Sequence, residues 1–117
     1  MKQIIETIPY KDRNGGFVVS IPDKPTKKAI IDLHGLGEKT NAQPSSSIEY
    51  IKLQVRDKLI ARTGLPYLIS KGFDIDFLVI SPQMWGSGWW DTNFVKAVYD
   101  YCKEKYGFKY CFHSLMY

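Results

Sequence analysis

The stretch Ala29-Ile30-Ile31-Asp32-Leu33-His34-Gly35-Leu36-Gly37 decides the fold. Apart from Asp32, residues 29–33 are apolar and rich in isoleucine. A short apolar run ended by a turn suits a strand covered on both faces, as in a parallel sheet. Gly35 and Gly37 give the turn that follows its backbone freedom. A turn at the carboxyl end of a parallel strand aims free N–H groups into the crevice where ligands bind. The plainer alternative is a tight exit from a strand, because a four-residue match is only a hypothesis.

Outward from this strand, both flanks carry readable elements. Upstream, Lys2 to Ile8 alternates as a strand, and Pro9 to Gly16 reads as a polar turn with Asn14-Gly15-Gly16 as its breaker. Phe17 to Ile21 is a second strand, so the pair predicts an antiparallel hairpin. Downstream, Ser46-Ser47-Ile48-Glu49 fits a capping box opening a helix, with Ile48, Ile51, Val55 and Leu59 on one face. Thr63 to Gly72 predicts a short helix with Pro66 in its first turn and Leu65, Leu68 and Ile69 toward the core. Asp76 to Ser81 is the next buried strand, and a strand–helix–strand order implies a parallel pair. A loop bearing Trp85, Trp89 and Trp90 follows, and Asp91 or Thr92 can cap the next helix. Phe94, Val98, Cys102 and Tyr106 recur every four residues, Gly107 stops that helix, and Lys109 to Phe112 begins one more strand.

At 117 residues the chain is one small domain by the usual prior of roughly 100–150 residues. Its net charge of +4 comes from scattered lysines, which favours a solvated surface over a nucleic-acid groove. No run approaches the ~20 apolar residues of a membrane helix, and residues 1–8 are too short and polar for a signal peptide. Cys102 and Cys111 fit no zinc or redox spacing, so reduced thiols in a cytoplasmic protein are expected, and the sequence leaves a disulfide between them open.

The order of these pieces carries a resemblance. His34-Gly35-Leu36-Gly37-Glu38, Gly64-Leu65-Pro66, Ser81-Pro82-Gln83 and Gly88-Trp89-Trp90-Asp91 fall on a hairpin, strands and helices in a pattern similar to the α/β-hydrolase fold. The pattern spans roughly residues 3 to 108 and is most similar to the esterase branch with phospholipase/carboxylesterase-like, dienelactone-hydrolase-like and polyester-depolymerase-like proteins. The fold class expected is therefore α/β, the N-terminal half of an α/β-hydrolase sheet, in one partial domain over residues 1–117. The resemblance implies that the His-Gly strand lies between its parallel neighbour and the nucleophile strand; here Ala29 to Leu33 would be either an edge or covered only by Lys109 to Phe112. It implies that the Leu36 backbone N–H belongs to an oxyanion hole, with Gly35 and Gly37 shaping the turn and His34 packed structurally beside it. Gln83, Trp85 and Trp89 would line the substrate cleft; the alternative is that the tryptophans seal the core under their loop. The parent substrate is a small-molecule ester, hydrolysed through an acyl-enzyme without cofactor or metal.

The chain departs from that pattern at its end. The family's nucleophile sits in a Gly-x-Ser-x-Gly elbow. Here Cys111-Phe112-His113-Ser114-Leu115-Met116-Tyr117 stands in its place, with no glycine beside Ser114. Ser114 reads as an ordinary tail residue, and no catalytic residue is assigned. The expectation is a domain truncated before the elbow, with an atypical tail at 109–117, inactive alone and prone to self-association through an exposed sheet edge. The alternative is a small non-catalytic binding or interaction module that uses the Trp-rich loop and the open edge.

Other motifs fall short. Thr40 stands where a dinucleotide fingerprint needs its third glycine, and Glu38 interrupts a Walker-like Gly37-Glu38-Lys39-Thr40. Asp32, His34 and Glu38 lack a second cluster to complete a metal site. Tyr106 to Phe112 fails an RNA-binding strand motif at Lys109.

Overall fold

The computed structural model describes residues 1–62, 64–86 and 90–113. Five strands form one mixed sheet: β1 (Lys2–Tyr10), β2 (Arg13–Ile21), β3 (Lys28–Ile31), β4 (Leu78–Pro82) and β5 (Tyr110–His113). Three α-helices accompany them: α1 (Ile48–Val55), α2 (Gly64–Ser70) and α3 (Thr92–Tyr106). The spatial order is β1-β2-β4-β3-β5. β1 pairs antiparallel with β2, and β2 with β4. β3 lies between β4 and β5 and is parallel to both.

The alternation of β2 sends its side chains to two cores. Phe17 and Val19 join the larger cluster beneath α3, with Ile31, Ile80, Phe94, Val98 and Cys102. Val18 faces the other way, onto Val55 and Leu59. The sheet thus carries a core on each face, and β4, buried over its whole length, reads as a continuous apolar run, whereas β3 alternates buried Ala29 and Ile31 with half-buried Lys28 and Ile30.

The hairpin departs from expectation. The turn is only Lys11-Asp12, with Lys11 at φ +54°, and β2 begins at Arg13. Asn14-Gly15-Gly16 therefore lies inside a strand rather than in a turn. The reason is steric. A Cβ on Gly15 would collide with the Phe94 ring, and one on Gly16 would stand 2.8 Å from Val55 Cγ2. The two glycines let α3 and α1 approach the sheet from opposite faces.

Other boundaries shift by a residue or two. The cap of α1 is Ser47, whose hydroxyl accepts the Tyr50 N–H, so Ser46 and Glu49 do not form the expected capping box. Ile48, in the first helical position, is exposed, while Ile51, Val55 and Leu59 are buried. Past Val55 the helix widens to a π-helical segment over Arg56–Ile60. On α2, Ile69 is buried but Leu68 is exposed. β4 starts at Leu78 rather than Asp76. Asp91 caps α3 through the Asn93 and Phe94 N–H groups, and Gly107 ends that helix at φ +70°. No helix among the described residues is long and apolar enough to cross a membrane.

Candidate functional site

β3 delivers the chain to a turn at the carboxyl ends of the parallel strands. Asp32 N–H still donates to the Ile80 carbonyl at 2.9 Å. His34 is then buried, and a single 3-10 turn forms over Leu36–Glu38. Gly35 N–H donates to Glu38 Oε1 at 3.1 Å, closing the turn on itself.

His34 is the hub. Met84 N–H donates to its Nε2 at 2.9 Å, so Nε2 is an acceptor and the ring proton sits on Nδ1. Nδ1–H then donates to the Gly35 carbonyl. The ring lies 4.7 Å from the Trp90 ring, centroid to centroid, at 48°. Burial pushes the His34 pKa down, which outweighs the Gly35 carbonyl and Glu38 pulling it up, so the imidazole is neutral at pH 7. With both nitrogens engaged, His34 is no free general base.

One consequence follows from peptide geometry. In a trans peptide the C=O of one residue and the N–H of the next point in opposite directions. The Gly35 carbonyl is held by His34 Nδ1–H and by Glu38 N–H at 3.4 Å. The Leu36 N–H is thereby turned the other way, and it has no hydrogen-bond partner among the described residues. The Leu36 side chain is 62% exposed.

The turn is braced from behind. Thr40 N–H donates to the Met84 carbonyl at 2.9 Å. Gln83, only 1% exposed, donates through Nε2 to the Glu38 carbonyl at 2.9 Å and the Gln54 carbonyl at 3.1 Å. Gln54 Oε1 in turn accepts Asn41 N–H at 2.8 Å and Thr40 Oγ1 at 3.2 Å. Lys39 Nζ reaches the Gly86 carbonyl.

The residues singled out from sequence occupy different places. His34, Gly35 and Glu38 come together as one hydrogen-bonded unit, with Leu36 exposed on the turn between them. Gly35 has ordinary dihedrals, φ −81° and ψ −175°, and Gly37 is not among the positive-φ glycines, so the turn does not draw on the backbone freedom expected of them. Gln83 lies behind the turn as a strut. Trp85 packs against Tyr10 and Phe94, with the Arg13 guanidinium 4.1 Å above its ring. Trp89, Gly88 and Ser114 lie outside the described residues. Trp90 and Leu33 border an open groove of about 510 Å³ between α3 and the β3–β5 pair.

Sequence reasoning missed Met84, Gln54 and Tyr10. Tyr10 OH donates to the Asp91 carboxylate at 2.9 Å, tying the hairpin to the cap of α3. These contacts join residues tens of positions apart and leave no local signature. Neither thiol is activated: burial pushes Cys102 up to about 12 and raises Cys111. Among the described residues no three His, Cys, Asp or Glu side chains converge as metal ligands. No protein-family model matches the chain, and no curated protein matches it in sequence.

Proposed function

We propose that this chain carries the oxyanion-stabilising part of a serine-esterase-type site, with the Leu36 N–H as donor to the carbonyl oxygen of an ester. The observation that carries the reading is the locked Gly35 carbonyl, which leaves the next N–H facing outward on a braced turn. The strand order supports it too. β3 lies between β4 and β5, so the turn sits at the carboxyl end of the parallel strands, where such sites form. An aligned donor of this kind contributes roughly 3–4 kcal/mol to stabilising the tetrahedral intermediate. Acyl transfer also needs a nucleophile, a base and an orienting acid. Among the described residues no nucleophile is hydrogen-bonded to a histidine, so the chain is read as unable to turn over alone.

The test has two stages. Hydrolysis of a short-chain aryl ester by the chain itself is expected at the buffer rate. The coding DNA past the Tyr117 codon is then translated in all three frames. A frame that encodes Gly-x-Ser-x-Gly, with a later acid and histidine, gives a protein in which Leu36→Pro is informative. Proline removes the N–H, is tolerated at the first position of a helical turn, and asks for an extended residue before it, as Gly35 already is. The expected loss in kcat is about 10²–10³-fold. Unchanged turnover in that variant would remove Leu36 from the reaction.

A further inference from the structure

From the groove beside α3 we infer a second site, one that binds an apolar carboxylic acid without any chemistry on it. This goes beyond the oxyanion reading and needs neither Leu36 nor a nucleophile. The groove runs between α3 and the upper halves of β3 and β5, with a volume of about 510 Å³. That lies inside the roughly 300–1,000 Å³ range of small-molecule pockets. Leu33 gives it an aliphatic floor, and Trp90 and Tyr99 give it aromatic walls.

Thr92, Lys96, Cys111 and His113 contribute a hydroxyl, an ammonium, a thiol and an imidazole, and among the described residues no carboxylate lines the groove. Asp91 accepts from Tyr10 and from the Asn93 and Phe94 N–H groups, and Asp100 Oδ2 accepts one hydrogen bond from Lys96 Nζ at 2.8 Å. The Lys96 ammonium keeps donors to spare. The Lys96 ammonium is the charged group in this lining, so an apolar body with an anionic head complements it better than a cation does.

A small molecule fits better than a polypeptide as occupant. The accessible surface is 6559 Å², close to the value of about 6,500 Å² expected for a folded monomer of this mass. The chain carries no excess surface of the size an obligate protein interface would add. Tyr110 and Phe112 of β5, both exposed, point to the opposite face of the strand from Cys111 and His113, which line the groove.

The experiment is a titration of the full ¹⁵N-labelled chain with naphthoate, and in parallel with naphthylmethylammonium. The acid is expected to give saturable amide shifts over residues 92–96 and 111–113 and to bind about tenfold more tightly than the cation. It is also expected to slow alkylation of Cys111 by iodoacetamide, with buried Cys102 as the internal control. Val95→Glu, which puts a carboxylate into the lining, is expected to abolish the shifts. Should that variant fail to fold, Cys111 protection in the unaltered chain decides. Equal binding of acid and cation, shifts elsewhere, or no saturation would each overturn the inference. Loss of the oxyanion reading would leave all these readouts unchanged.

Discussion

Gly15 shows how a single residue sets the thickness of the molecule. The Phe94 ring occupies the space where a Cβ would stand, so Gly15→Ala must push α3 off the sheet or twist the ring off its rotamer. Overpacking of this kind costs ~1–3 kcal/mol, and urea denaturation is expected to show it as a lower midpoint at unchanged slope. His34 acts through hydrogen bonds instead. His34→Phe keeps a ring against Trp90 but leaves the buried Met84 N–H without its acceptor, a loss of ~1–3 kcal/mol. Amide exchange at Met84 should accelerate in that variant, while amides in β1 should hold their rates. The same imidazole gives the first step of acid sensitivity. Its folded pKa lies below the ordinary 6.5, so its contribution is complete above that value and declines as pH falls below it. A pH titration of stability that stays flat from pH 7 to 5 would contradict this role.

At the scale of elements, β1 and α3 are tied by one carboxylate. Glu6 accepts from Tyr101 OH, Lys105 Nζ and Tyr106 OH, each at 2.7 Å. Burial alone would raise its pKa, but hydrogen bonds from Lys105, Tyr106 and Tyr101 together lower it below the ordinary 4.5. A depressed carboxyl contributes stability above its unfolded value and loses it as pH falls through the folded one. Glu6→Gln is therefore expected to lower stability at pH 7 and to flatten its decline below pH 4.5. An equal slope in both proteins would place the acid sensitivity elsewhere. Much of this scale was legible in the sequence. The four-residue recurrence of Phe94, Val98 and Cys102 marks the buried face of α3, and Gly107 marks its end. The apolar run at 29–33 marks an interior strand of the sheet, although of the strand residues 28–31 only Ala29 and Ile31 are buried and Ile30 is half-buried. What stayed hidden was long-range. Gly15 and Gly16 look like a turn until α3 and α1 are in place, and Gln83 looks like a cleft residue until Glu38 and Gln54 present their carbonyls to it. Local composition carries no record of which distant group will arrive.

For the whole molecule, the radius of gyration of 13.2 Å matches the value of about 13 Å expected for a compact chain of this length. One of the two sheet edges is β5, a four-residue strand with Tyr110 and Phe112 exposed. Unpaired edge strands with apolar side chains invite pairing with a second copy. Sedimentation is expected to show concentration-dependent association that Tyr110→Lys and Phe112→Lys both weaken; a monomer at every concentration would contradict it. The turn after β3 follows directly on Leu33, which lines the groove.

The most direct measurement is amide hydrogen exchange across residues 34–40 and 84, read by NMR. The outward-facing donor requires the Leu36 N–H to exchange at close to the unprotected rate, while Met84 and Thr40, bonded to His34 and to the Met84 carbonyl, exchange slowly. A protected Leu36, or a Met84 amide as fast as Leu36, would mean that the turn is not locked by His34 and that the donor is not aimed.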